Sequence, residues 1–257
     1  MRKKHTFLDH AIQLLDEAGQ LSRRYFRMPL DITLKEGLYP VTQADTDIEM
    51  LIRSALATHY PFHDILGEEY GLTDLFSAYL WVIDPIDGTA AFAAGKPTFT
   101  SLIALYKDTK PLFGIIDQPI LNERWVGISG EKTQFNGEIC QANIATDLSS
   151  ARLSCTTPEM FDQHDWRIFQ SVRKQVASVS YGGDAYAYGL LARGYIDVVL
   201  EADLKFYDVA ALIPILEGAG AVITDWSGNT ITPDFDGSCL AAANPQLHTK
   251  VLELVCG

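Results

Sequence analysis

Nine consecutive residues, Trp81-Val82-Ile83-Asp84-Pro85-Ile86-Asp87-Gly88-Thr89, constrain this chain more than any other stretch. The apolar run Leu80-Trp81-Val82-Ile83 has the length and composition of a buried strand, and it gives way at once to two carboxylates, a proline and a glycine. Asp84 and Asp87 stand three residues apart, with Pro85 stiffening the turn expected between them. Two acidic side chains and the Ile86 carbonyl are thereby placed to converge on one point, an oxygen-rich cage suited to a hard divalent cation.

Such a cage matters because the chain is otherwise strongly acidic. Thirty-three acidic residues against twenty basic give a formal charge of −13, which argues against nucleic acid or an anionic membrane as partner. An anion is still accommodated if bound metal ions supply the positive charge. At 257 residues, 47% hydrophobic and 21% charged, the composition is that of a globular chain with ample core material, in one large domain or two small ones. Met1-Arg2-Lys3-Lys4-His5 is basic but leads into an amphipathic pattern, and no apolar run approaches membrane-spanning length, so a cytoplasmic protein is expected. Cys140, Cys155, Cys239 and Cys256 are scattered without metal-site or disulfide-frame spacing, and read as thiols.

Taken in order, the chain first shows apolar residues at Phe7, Ala11, Leu14, Leu15, Ala18, Leu21 and Tyr25, the spacing of one helical face, closed by Met28-Pro29. An extended piece, Ile32 to Lys35, precedes a loop expected at Glu36-Gly37 and Tyr39-Pro40. Thr42 and Asp45 then resemble a capping box for a second helix with Ile48, Leu51, Ile52, Ala55 and Leu56 on its apolar face. Ile65-Leu66-Gly67-Glu68-Glu69 repeats the theme of an apolar run ending in glycine and carboxylates. Strand-like runs at Ser101 to Tyr106, Leu112 to Asp117 and Arg124 to Ile128 predict a largely antiparallel sheet, with a further hairpin at Asn136-Gly137.

Near residue 145 the pattern changes. Strand candidates at Ala151 to Ser154, Val176 to Tyr181, Ile196 to Leu200, Ala221 to Thr224 and Cys239 to Ala243 alternate with helical segments at Trp166 to Lys174, Ala185 to Arg193, Tyr207 to Glu217 and Pro245 to Val255. Two sub-domains are therefore expected, residues 1–145 as an N-terminal α+β unit and 146–257 as a C-terminal α/β unit, with a site in the cleft between them. Asp208 is expected at a helix start, where a carboxylate favours the dipole, and Gly182-Gly183-Asp184 joins a strand to a helix. Taken singly, each of these carboxylates reads as a cap or a solvated turn. Four of them, Glu68, Asp84, Asp87 and Asp208, lie at element ends beside glycine, proline or a helix start, a combination much less easily accidental.

The set Val41-Thr42-Gln43-Ala44-Asp45, Gly67-Glu68-Glu69, Asp84-Pro85-Ile86-Asp87-Gly88-Thr89 and Tyr207-Asp208-Val209-Ala210-Ala211 resembles, in order and across nearly the whole chain, the signature motifs of the inositol monophosphatase superfamily. Within it, Gly114 to Gly127 and Tyr181 to Tyr188, then Leu204 to Asp208 and Ile223 to Trp226, look most like bacterial histidinol-phosphatases. The resemblance implies an α-β-α-β-α layered α/β fold, a homodimer and Mg²⁺-dependent hydrolysis of a small phosphate monoester by metal-activated water. By similarity Glu68, Asp84 and the Ile86 carbonyl hold one ion, Asp84, Asp87 and Asp208 a second, and Glu68 helps a third if there is one. Asp45 and Thr89 match the family's water-orienting pair, and the Gly88 and Thr89 amides are suitable phosphate donors. Ala90-Ala91 departs from the polar or basic residues usual in relatives.

Asp184 and Glu201 are the informative residues for the rest of the substrate. Carboxylates suit a leaving group with an ammonium or imidazolium, as in histidinol phosphate, while Glu201 would equally accept hydrogen bonds from sugar or inositol hydroxyls. Tyr181, Tyr186 and Tyr207 are candidates to stack on an imidazole, though aromatics at element ends are more often core. The alternatives are an inositol, broad sugar-phosphate or 3′-phosphonucleotide phosphatase on the same metal core, and a regulatory binding protein that keeps the fold.

Overall fold

The structure, a computed structural model, describes residues 2–29, 32–35 and 39–257; the expected loop residues Glu36-Gly37 lie outside these. Helix α1 (Arg2–Tyr25) buries Leu8, Ala11, Leu14, Leu15 and Ala18 on one face, as their spacing dictates. Strands β1 (Ile32–Lys35) and β2 (Tyr39–Thr42) pair antiparallel, so Tyr39-Pro40, expected in a loop, begins a strand instead. A two-stranded ribbon has only edges, where proline's missing N–H is tolerated. β2 runs directly into α2 (Gln43–His59): the Thr42 side chain accepts from the Ala44 amide at 3.2 Å, and the Thr42 amide donates to Asp45 Oδ2 at 2.8 Å, completing the capping box.

Next come β3 (Asp64–Gly67), β4 (Gly71–Leu72), β5 (Tyr79–Asp87), α3 (Thr89–Ala93), β6 (Thr100–Lys107), β7 (Lys110–Gln118), β8 (Glu123–Ile128), β9 (Gln134–Phe135) and β10 (Glu138–Ile139). The strands form one sheet in the order β10-β9-β8-β7-β6-β5-β3-β4, antiparallel except for the β3–β5 pair. The remaining elements are β11 (Arg152–Cys155), α4 (Gln163–Arg173), β12 (Ser178–Tyr181), α5 (Asp184–Ala192), β13 (Val198–Glu201), α6 (Phe206–Val209), α7 (Leu212–Gly218), β14 (Val222–Thr224), β15 (Cys239–Ala242) and α8 (Pro245–Cys256). Their five strands make a mixed sheet, β12-β11-β13-β15-β14.

The layers run α1 and α2, the eight-stranded sheet, α5 and α7, the five-stranded sheet, then α4 and α8. One apolar core lies under α1 and α2, and another under α4 and α8. The third is central: α5 and α7 bury Leu191, Ile215 and Leu216 together with Leu102 and Ile116 of the larger sheet and Val199 and Ala241 of the smaller. The implied five-layer fold is thus observed. Among the described residues no helix is long and apolar enough to cross a membrane.

The single helix expected over Tyr207 to Glu217 is two, broken at Ala210-Ala211. Pro214 is the reason. It has no N–H to give the Ala210 carbonyl, so a helix containing it must start nearby. The Ala210 carbonyl is instead satisfied by the Tyr106 hydroxyl of β6, at 2.9 Å.

Candidate active site

In a regular strand, residues three apart point to opposite faces, so Asp84 and Asp87 would diverge. They do not, because β5 carries an irregularity: Asp84 pairs with Leu102 but Asp87 with Thr100, three residues opposing two. The extra residue restores the parity and brings both carboxylates to one side. The turn expected at Pro85 is therefore a bulged strand, a place where proline costs no ladder bond. Ser101 Oγ pins it by donating to the Pro85 carbonyl at 2.7 Å.

β5 gives way to α3 through Gly88, whose φ of 85° is one that L side chains rarely adopt. A methyl group there would also lie 2.7 Å from Asp184 Oδ2, so Gly88 is required twice over. Asp184 opens α5, itself at a φ of 45°. The next amide, Ala185, donates to Asp87 Oδ2 at 2.6 Å, stitching the two halves of the chain together at the site. Asp208 arrives from α6, where its Oδ2 accepts from the Lys205 amide at 2.6 Å.

Asp84, Asp87 and Asp208 each offer a carboxylate oxygen within 4.8 Å of the others. Glu68 is not in this trio, but it follows β3, and its amide donates to the Ile83 carbonyl at 3.3 Å, next to Asp84. Its charge is the second cause, after burial, that pushes Asp84 far above the usual carboxylate range; Asp87, Asp208 and Asp45 add to it. Burial, followed by the charges of Asp184 and Asp208, does the same to Asp87. Asp208 is pushed up to about 7, by burial first and then by Glu201, against the Lys205 amide bond that lowers it. Asp84 Oδ1 is buried with no hydrogen-bond partner. Hard oxygen donors, mutual repulsion and an orphaned oxygen together fit a divalent cation of the Mg²⁺ class.

Asp45 comes from the first turn of α2. Thr89 Oγ1 lies 3.0 Å from Asp45 Oδ1 and 3.1 Å from the Ile86 carbonyl. Asp45 Oδ2 accepts from the Thr42 hydroxyl at 2.6 Å as well as from the Thr42 amide, yet burial still raises its pKa. Thr89 and the acid thus form a buried hydroxyl–carboxylate pair beside the cluster.

A cavity of about 440 Å³ opens from Asp87 and Asp208 past Asp184 and Glu201 to Thr157 and Met160. Glu201, the last residue of β13, is buried, with Oε1 accepting from the Thr156 amide at 2.7 Å and Oε2 from the Tyr188 hydroxyl at 2.8 Å. Asp184 is pushed up to about 7 by burial and then by the Glu201 charge. Thr156 and Tyr188 were not anticipated from sequence; Tyr188 had a signal, lying one helical turn after Asp184 on the same face. Of the expected tyrosines, Tyr186 packs edge-on against Trp125 and donates to Glu123. Tyr181 is half exposed, and Tyr207 lies against the acidic cluster, where burial and the Asp208 charge raise its phenol.

Residues 3–257 match the model of the inositol monophosphatase family. The chain is 42% identical over 249 residues to the chloroplastic bifunctional phosphatase IMPL2 of Arabidopsis thaliana, covering 93% of this chain and 72% of that one. It is 32% identical to the histidinol-phosphatase of Mycobacterium tuberculosis, over 96% of this chain and 97% of the other. An inositol monophosphatase from Zymomonas mobilis superposes with a TM-score of 0.90 at 40% identity, covering 98% of each chain.

Proposed function

The chain belongs to the inositol monophosphatase family of metal-dependent phosphatases, hydrolases of phosphate monoesters, and from that membership we propose that its substrate is histidinol phosphate, with Mg²⁺ as its ion. The observation that carries the substrate is the acidic wall opposite the metal cluster. Asp184 and Glu201 line the same cavity as Asp87 and Asp208, and Glu159 and Asp203 stand farther along it. A leaving group bearing an ammonium and an imidazolium meets opposite charge there, whereas a neutral polyol meets only acceptors. The named histidinol-phosphatase relative supports the same reading.

Asp84, Asp87 and Asp208, with Glu68 and the Ile86 carbonyl, would hold two or three ions. When bound, these ions supply positive charge to the phosphoryl oxygens and acidify water near neutral pH. The chain's own groups do the rest. With its hydroxyl proton directed to Asp45, Thr89 Oγ1 keeps lone pairs free to take the proton of an attacking water while its own hydroxyl proton passes to Asp45 Oδ1. The backbone amides of Gly88 and Thr89 would donate to the phosphate oxygens. Asp184 and Glu201 would orient the departing alcohol, whose oxygen takes a proton from solvent water as inorganic phosphate forms, and Asp45 returns its proton to solvent.

Glu201 is also placed to accept from hydroxyls, so an inositol or broad sugar phosphate is the second reading. A panel of phosphomonoesters assayed with Mg²⁺ separates them: histidinol phosphate should lead in kcat/KM by at least about tenfold, a margin of about 1.4 kcal/mol in transition-state binding. A lead for inositol phosphates would sink the first choice. No turnover with any ester, despite normal folding and metal binding, would favour a regulatory binding protein.

A further inference from the structure

Helix α2 carries a second buried acid that the reaction scheme leaves unused. Glu49 is fully buried, one turn after Asp45 and one turn before Arg53, so three polar side chains follow one another at four-residue intervals along one face. Its carboxylate enters the turn between β3 and β4. Oε2 accepts from the Glu69 amide at 2.7 Å, and Oε1 from the Tyr70 amide at 3.2 Å and from Arg53 Nε at 2.6 Å. The other arm of Arg53 donates to the Gly71 carbonyl. On the near side of the turn, a methyl group on Gly67 would lie 2.1 Å from Glu49 Oε1, so the carboxylate rests directly against that backbone.

These contacts bracket Glu68. Gly67 before it lies against one carboxylate, the Glu69 and Tyr70 amides after it donate to that carboxylate, and Gly71 is held through Arg53, while the Glu68 amide bonds to the Ile83 carbonyl. Like charge drives Glu68 away from Asp84, so a turn without the clamp has every reason to swing outward. We propose that Glu49, together with Arg53, is a positioning residue that holds Glu68 against Asp84 and thereby sets the affinity of the site for its divalent cation. This rests on the reading of Glu68 as a metal ligand. Shape alone does not supply the clamp: three N–H donors converge on Glu49, and a glutamine offers them one acceptor oxygen and an NH₂ that faces donors.

The test is direct binding of Mn²⁺ to metal-free protein, by calorimetry, well below the unfolding temperature. Glu49→Gln should weaken binding about tenfold or more, the range found when the group supporting a ligand is lost. The Mg²⁺ concentration for half-maximal activity should rise by a similar factor, with kcat at saturating Mg²⁺ kept within about threefold. Arg53→Lys keeps the charge but loses the fork, so it should weaken binding less and add little on top of Glu49→Gln. Glu68→Gln is the control for the underlying reading. If Glu68→Gln weakens Mn²⁺ binding while Glu49→Gln leaves it at the wild-type value, the clamp is wrong and the ligand assignment stands. Should Glu49→Gln not fold, wild-type Mn²⁺ affinity in Arg53→Lys overturns the clamp in its place. Wild-type affinity in all three variants sinks the assignment of Glu68 itself.

Discussion

Asp84 and Glu201 are both 2% exposed, and burial is the first cause raising the pKa of each, yet they are opposite kinds of buried acid. Around Asp84 every further influence is another carboxylate, and Oδ1 has no donor. Around Glu201 every further influence is a donor, the Thr156 amide and the Tyr188 hydroxyl, and both oxygens are used. A buried acid with one oxygen left without a donor is complete only when a cation arrives. One already satisfied is a fixed wall that needs nothing to hold its shape. The first belongs to the chemistry and the second to recognition, and the two should fail differently when mutated.

The largest difference is expected from Asp87→Asn. Removing one charge from the trio should cost second-ion affinity and lower kcat by more than about 100-fold, beyond the 10- to 100-fold typical of residues that only support a ligand. The same change relieves repulsion, so the metal-free variant should unfold at a temperature no lower than the metal-free wild type. Wild-type turnover would refute the metal assignment, and a large loss of metal-free stability would show that the bonds Asp87 Oδ2 accepts from the Ala185 amide and the Thr100 hydroxyl outweigh the repulsion.

The comparison sharpens with pH. Asp208 and Asp184, both pushed up to about 7 in the metal-free fold, start near 3.8. An acid whose folded pKa is raised contributes stability that is fully present below the unfolded pKa and is lost as pH rises through the folded one. Chelated protein should therefore lose stability between about pH 4 and 7 relative to protein saturated with Mg²⁺, because bound cations compensate the charges. The gap in Tm between the two forms should widen by several degrees over that range, since about 1 kcal/mol moves Tm by roughly 2–4 °C in a chain approaching this size. A gap that is flat or narrows with rising pH would mean that the acids are not ionising where ions bind.

These two regions were not equally legible in the sequence. The metal end could be read because its residues are packed into short motifs: Asp84, Ile86 and Asp87 lie within four positions, and the glycine and proline beside them announce special backbone. What the sequence hid was the device that aligns them. The one-residue bulge between Asp84 and Asp87 depends on the register with Leu102 and Thr100, which no local pattern encodes. The break before Pro214 was missed for a related reason, since it is made tolerable by a tyrosine 104 residues earlier in the chain. Glu201 directly follows the strand expected at Ile196 to Leu200, but its donors come from the β11 loop and from α5, and only packing of the two layers brings them together. Glu49 went unremarked because an acid four residues before an arginine on a helix reads as a surface ion pair; only the structure shows it buried under the Glu68 turn.

The smallest effect is expected at Glu201 and is the most diagnostic of a wall. Glu201→Gln keeps one acceptor for two donors, so either the Thr156 amide or the Tyr188 hydroxyl is left facing an NH₂, at a cost of about 1–3 kcal/mol and a Tm lower by several degrees, with or without Mg²⁺. Removal of its charge should raise KM for a cation-bearing phosphomonoester by about 3- to 10-fold while kcat changes by less than about twofold, the signature of binding energy shared by ground and transition states. A neutral sugar phosphate, which meets Glu201 only as a hydrogen-bond acceptor, should lose less, narrowing the enzyme's preference. Equal loss in kcat for every ester would place Glu201 with Asp84 among the groups that act on the phosphate, and its two donors would then be tuning a reacting acid instead of fixing a recognition surface.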